Sequence, residues 1–230
     1  MRKRNERNMA TTGEQIRLQD GRSLGYAEYG DPGGKPVFFF QGTPSSRLLH
    51  PDESITAALG ARLIMLDRPG FGLSSFQPGR RLLDWPNDVV DVAGQLGFER
   101  FAVVGISGGG PYVAACARRI PERLVAAAMV SSMAPVDVPG STKGMPPIRR
   151  AGAYIGRHTP RLVRPLVWLT SNPRRDPDRF FKRNTAHNPL ADQELLARPE
   201  FRDMLMASYA EATRAGIQGY AWEVRIIARP

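Results

Sequence analysis

The sequence predicts an α/β fold in which a mostly parallel sheet is flanked by helices on both faces. Two observations carry this expectation: unbroken apolar runs alternate with segments of helical period, and a serine set among glycines stands between one such run and the segment after it. A strand buried on both faces reads as a continuous apolar run, and strand–helix alternation is how parallel neighbours are joined.

The elements follow in order. In "EQIRLQDGRSLGYAEYG" two alternating runs meet at Asp20-Gly21, a hairpin signal. "PVFFFQGTP" is a buried strand stopping in a Gly-Pro loop, and residues 46–60 then read as a helix. "RLIMLDRPGFG" is the next strand, ending in a turn built on Pro69, Gly70 and Gly72. Over residues 84–97, Val89, Val92, Ala93 and Leu96 recur at helical spacing. "RFAVVGIS" is a third buried strand, the stretch from Pro111 to Ile120 a helix, and "RLVAAAMV" a fourth strand. Beyond Ala134 the chain turns rich in Pro, Arg and Met, with short amphipathic helices and no clear strand. The expected organisation is a disordered leader over 1–13, a core over 14–134, a helical cap over 135–215 and a return helix over 216–230.

The composition, 42% hydrophobic and 23% charged, is that of an ordinary globular protein. The basic opening "MRKRNERNMATTGEQ" has no apolar stretch behind it, against a secretory signal, and no apolar run reaches membrane-spanning length. Cys116 is the only cysteine, so no disulfide framework and no cysteine-based metal site is expected, and the simple location is cytoplasmic. The net charge of +10 raises nucleic-acid binding. Its arginines are not interleaved with stacking aromatics and no nucleic-acid-binding signature accompanies them, so no nucleic-acid partner and no membrane is expected.

Gly105-Ile106-Ser107-Gly108-Gly109 fits G-x-S-x-G between a strand and a helix, the context that motif needs. A strand turning abruptly into a helix holds the serine at a strained backbone angle with its oxygen out of the turn. Side chains two residues either side would collide there, which accounts for Gly105 and Gly109. Pro111 falls in the first helical turn, where a missing N–H is harmless. A Walker loop is excluded because no lysine is near, and a dinucleotide fingerprint starting at Gly108 fails where Val113 stands.

"FFFQGTPSSR", "MLDRPGFGLSS", "DWPNDVVDVAGQLGFERFAVVG" and "VVGISGGGPY" come in an order that resembles the serine hydrolases of the α/β-hydrolase fold, over residues 14–230. The resemblance implies that fold with a helical cap, Ser107 as nucleophile, and the backbone N–H groups of Thr43 and Gly108 as an oxyanion hole. The family usually carries His-Gly where this chain has Gln41-Gly42; the donors are backbone groups, so Gln41 leaves the hole possible while changing how its loop is held. Asp67 reads as structural.

A serine needs a base, in this fold a histidine after the last strand, with its acid after the strand that follows the cap. Neither strand is found before Pro230, so the C-terminal strands read as missing and the chain as truncated. "LVAAAMV" would then be an open apolar edge and "WEVRIIARP" would lose much of its support. His50, His158 and His187 do not stand where a base is expected, and Asp137 is the one substitute acid. No catalytic acid or base is identified. The function expected is hydrolysis of an ester-like acyl bond in a small, fairly apolar substrate, without cofactor or metal. Trp168, Phe180, Phe181, Met204 and Met206 are candidates for the pocket wall or for the cap's own core. The alternative is a catalytically incomplete fragment or a small-molecule-binding remnant. Substrate identity and oligomeric state are not legible.

Overall fold

The hairpin expected at Asp20-Gly21 forms: β1 (Thr11–Arg17) and β2 (Ser23–Gly30) pair antiparallel, Ile16 opposite Leu24, with Gly21 at φ +85° in the turn. The structure is a computed structural model and describes residues 11–228 apart from 137, 146, 171, 173 and 187. Because β1 begins at Thr11, it takes in the last residues assigned to the leader; residues 1–10 lie outside the described residues.

The core continues through β3 (Lys35–Phe40), α1 (Glu53–Ala58), β4 (Ala61–Leu66), α2 (Trp85–Gln95), β5 (Phe101–Ile106), α3 (Gly110–Arg119) and β6 (Leu124–Val130). The strands form one six-stranded sheet in the order β1-β2-β4-β3-β5-β6. β3 pairs parallel with both β4 and β5, β5 pairs parallel with β6, and β2 joins β4 antiparallel. Alternate residues of the central strands feed opposite faces. Phe38, Phe40, Ile64, Leu66, Phe101 and Val103 pack with Val89, Val92 and Ala93 of α2 and Val113 and Cys116 of α3. Ala27, Tyr29, Leu63 and Met65 make the core of the other face.

The helix expected over 46–60 is shorter. Pro51 has no N–H to give, Asp52 caps by accepting from the Ile55 N–H at 3.0 Å, and the helix starts at Glu53. Residues 46 and 47 spend their N–H groups on tertiary partners instead: Ser46 donates to Ser208 Oγ at 2.9 Å and Arg47 to Asp67 Oδ1 at 2.7 Å.

After β6 the described residues are helical: α4 (Pro147–His158), α5 (Val163–Thr170), α6 (Pro177–Thr185), α7 (Leu190–Leu196), α8 (Pro199–Ala212) and α9 (Gln218–Ala228). The expectation that α9 would lose its support is corrected. Its Glu223, Ile226, Ile227 and Ala228 are all buried, because Ile226 and Ile227 join the main core while Ala221, with Ile217 before the helix, packs on Val163 and Val167 of α5. The open edge is observed. Among the described residues β6 pairs with β5 alone, and Val125, Met129 and Val130 are 59%, 58% and 48% exposed.

Candidate active site

Ser107 sits where β5 ends, with φ +53°, a left-handed backbone angle that a non-glycine residue rarely adopts. A single 3₁₀ turn, Ser107–Gly109, then feeds α3, with Pro111 in its first turn. The strained serine is exposed while Gly108, Gly109 and Gly110 behind it are buried. The tightness of the turn explains the glycines. A Cβ on Gly105 would lie 2.5 Å from the Gly109 carbonyl oxygen, and one on Gly109 would run into the Phe40 carbonyl.

The loop after β3 approaches this turn. A Cβ on Gly42 would stand 3.9 Å from Ser107 Oγ, and one on Gly108 would stand 3.4 Å from the Thr43 nitrogen. Ser107, Gly108, Gly42 and Thr43 are therefore brought together, as are the elbow glycines Gly105 and Gly109. The Thr43 N–H makes no backbone hydrogen bond among the described residues, which leaves a donor available at this spot. Gln41 is buried and donates from Nε2 to the Leu66 carbonyl at 2.9 Å, tying the loop to the end of β4.

Beneath the loop lies a cluster that sequence reasoning missed. Arg68 donates to the carbonyls of Gln41 and Gly42 at 2.6 and 2.8 Å, and to Thr43 Oγ1 at 3.1 Å. Glu223 of α9, fully buried, accepts from Arg68 at 2.7 and 2.9 Å, from Arg80 at 3.1 Å, from the Tyr112 hydroxyl at 2.8 Å and from the Thr43 hydroxyl. Burial alone would raise the Glu223 carboxyl; the charges of Arg68 and Arg80 with the Thr43 and Tyr112 hydrogen bonds outweigh it and hold the group below the usual carboxylate range. One signal was present: Gly219, Glu223, Ile226 and Ile227 recur at helical spacing, which puts an acid on an apolar stripe.

Asp67 has the structural role expected. Wholly buried, it accepts from Arg47 N and Leu73 N at 2.7 and 3.0 Å and pairs with the Arg47 guanidinium at 2.6 Å. Arg47 also reaches Glu211 of α8 at 2.7 Å.

A family model described as alpha/beta hydrolase fold matches residues 35–154. The chain belongs to this family. Solved structures agree on the fold. An esterase from Thermogutta terrifontis superposes with a TM-score of 0.65 at 20% identity, over 94% of this chain and 72% of that one. A hydrolase from Pseudomonas aeruginosa gives 0.66 at 19%, over 96% and 74%. A putative epoxide hydrolase from Pseudomonas aeruginosa, a point mutant, gives 0.61 at 19%, over 95% and 71%. Among curated proteins none matches the sequence.

In this α/β hydrolase the described histidines have partners other than Ser107. His50 stacks on Tyr29 with centroids 3.9 Å apart and has Nδ1 2.8 Å from the Pro51 carbonyl; His158 lies beside the Tyr154 ring. His187 and Asp137 lie outside the described residues. Two of the candidate wall residues sit in different surroundings. Phe180 is buried against Tyr209 of α8, with ring centroids 4.9 Å apart, whereas Trp168 is exposed beneath Arg175. A hollow of about 600 Å³ beside α4 is lined by Val136, Thr142, Arg150, Tyr154, Ile155 and His158, among others, and by none of the five candidates. Among the described residues no helix is long and apolar enough to cross a membrane, and no group of three or more His, Cys, Asp or Glu is placed to hold a metal.

Proposed function

We propose that this α/β hydrolase is a serine hydrolase acting on an ester-like acyl bond of a small substrate. Ser107 Oγ attacks the carbonyl carbon, the C=O π electrons move to oxygen, and the N–H groups of Thr43 and Gly108 bind the oxyanion. Collapse re-forms the C=O, breaks the ester C–O bond and expels the alkoxide, which leaves as the alcohol once it takes up the proton lost from Oγ; water then hydrolyses the acyl-serine. The observation that carries the reading is the exposed Ser107 at φ +53° beside the open Thr43 N–H. A serine at the elbow, rather than an aspartate, favours acyl transfer over epoxide opening despite the shared fold with a putative epoxide hydrolase. No described residue is assigned the proton from Oγ.

That last point favours a second reading, in which the chain binds a small molecule without turning it over, since His50 and His158 are committed elsewhere. Short-chain p-nitrophenyl esters separate the two. The hydrolase reading expects a burst of p-nitrophenolate stoichiometric with protein and lost in Ser107→Ala. A folded chain with neither burst nor steady turnover above Ser107→Ala supports the second reading.

A further inference from the structure

We propose that Glu223 is a positioning residue that fixes the Thr43 loop against the serine elbow, so that the two halves of the oxyanion hole share one buried anchor. The inference rests on the functional reading above for its catalytic meaning, and on geometry alone for the anchoring.

The two N–H groups assigned to the hole come from different parts of the chain, Thr43 from the loop after β3 and Gly108 from the turn into α3. Two donors stabilise an oxyanion only if their spacing is held before the charge develops. The two segments pack closely, a Cβ on Gly109 running into the Phe40 carbonyl, but no backbone hydrogen bond ties Thr43 to the turn among the described residues. Glu223 touches both sides. It accepts from the Thr43 hydroxyl directly, and through Arg68 it holds the carbonyls of the two consecutive peptides, Gln41–Gly42 and Gly42–Thr43, that lead to Thr43. On the elbow side it accepts from Tyr112, five residues after Ser107 on α3, and Arg80 closes the ring by donating to both Tyr112 and Glu223.

The anchor arrives on a helix that lies beyond the cap in sequence. α9 is pressed against the turn after β4 so closely that a Cβ on Gly219 would collide with the Gly70 carbonyl, and Trp222 donates to the Arg80 carbonyl at 3.0 Å. Its other side carries α4 and α5 of the cap, so the cap and the oxyanion loop meet on one helix. Two buried guanidinium groups face one carboxylate here, and this gives the proposal a distinguishing sign. If Glu223 acted only through its charge, removing that charge would leave more positive potential at the oxyanion and speed the serine's reaction. If it acts by positioning, neutralising it misaligns the loop and slows the reaction.

The test compares Glu223→Gln, Thr43→Val and Thr43→Ser with the parent chain. Two readouts are used: the rate of Ser107 phosphonylation by a fluorophosphonate, corrected for folded fraction, and NMR order parameters of the Gly42 and Thr43 amides. The proposal expects Glu223→Gln and Thr43→Val to slow labelling about tenfold or more. Both should lower the order parameters from rigid values near 0.85 towards 0.6, while β5 amides stay rigid. Thr43→Ser, which keeps the hydroxyl, should label faster than Thr43→Val and keep higher order parameters, and Thr43→Val should cost less in the Glu223→Gln background than alone. Order parameters unchanged in both loosening variants, or faster labelling in Glu223→Gln, overturn the proposal. Should Glu223→Gln not fold, Thr43→Val decides by the same criteria. A parent chain that does not label defeats the functional reading, and the order parameters still decide the anchoring.

Discussion

Replacing Gly105 by alanine puts the packing of the elbow to a direct test. The new Cβ would lie 2.5 Å from the Gly109 carbonyl oxygen and 2.7 Å from both the Gly109 carbonyl carbon and Val113 Cγ2, where real Cβ atoms essentially never come within 3.0 Å. The offending atoms are mainly backbone, so no side-chain rotation relieves the clash. The Gly109 peptide must retreat by about half an ångström, and it has nowhere to go, because Gly109 already abuts the Phe40 carbonyl on the neighbouring strand. Overpacking of this kind costs roughly 1–3 kcal/mol, and for a chain of this length each kcal/mol lowers the melting temperature by about 2–4 °C. The assay is thermal unfolding followed by circular dichroism, with Gly94→Ala as the reference. Gly94 lies near the end of α2 with no atom within 4 Å of an added Cβ, so its replacement should raise stability by up to about 1 kcal/mol. Gly105→Ala melting at or above the parent temperature would refute the steric account of the motif.

Four further outcomes are expected. Ser107→Gly, which removes the left-handed strain, should be up to about 1 kcal/mol more stable in denaturant than Ser107→Ala, which keeps it; equal midpoints would mean the strain is not there. Burial pushes the Cys116 thiol up to about 12, so the native chain should not react with Ellman's reagent while the unfolded chain reacts fully; stoichiometric reaction within minutes under native conditions would contradict it. The bare β6 edge should drive concentration-dependent association in sedimentation, and Met129→Lys should reduce it without lowering the melting temperature; identical sedimentation would count against the edge. Glu223 sits below its unfolded value near 4.3, so the stability it lends is present above that pH and lost as pH falls through the lower folded value; Glu223→Gln should flatten that part of the acid-unfolding curve, and an unchanged slope would contradict the shift.

The sheet was legible because its inner strands β3, β4 and β5 read as unbroken apolar runs, and because Asp20-Gly21 marks the hairpin between β1 and β2. The elbow was legible for a steric reason: the clash at Gly105 acts between residues four apart, so the sequence carries its own record of it. The start of α1 was not, because residues 46 and 47 are drawn out of a helix by Ser208 and Asp67, partners 162 and 20 residues away. The Glu223 cluster is longer-range still, with Thr43 and Glu223 separated by 180 residues. A buried charge pairs with whatever the fold delivers, and periodicity shows only that the acid faces inward. The wall candidates could not be divided between pocket and core for a similar reason. An aromatic at helical spacing says that a face is apolar, not which neighbour covers it, and Phe180 found Tyr209 while Trp168 found solvent and Arg175.

The measurement that bears most directly on Ser107 as nucleophile is intact-mass analysis of the chain after exposure to a fluorophosphonate, native and urea-unfolded side by side. A preassembled oxyanion hole retains roughly 10³-fold or more of catalysis even when a triad member is absent, so the native chain should gain one adduct, mapped to Ser107, far faster than the unfolded chain and not at all in Ser107→Ala. A natively folded chain that gains no adduct, or gains it equally in Ser107→Ala, would contradict the account.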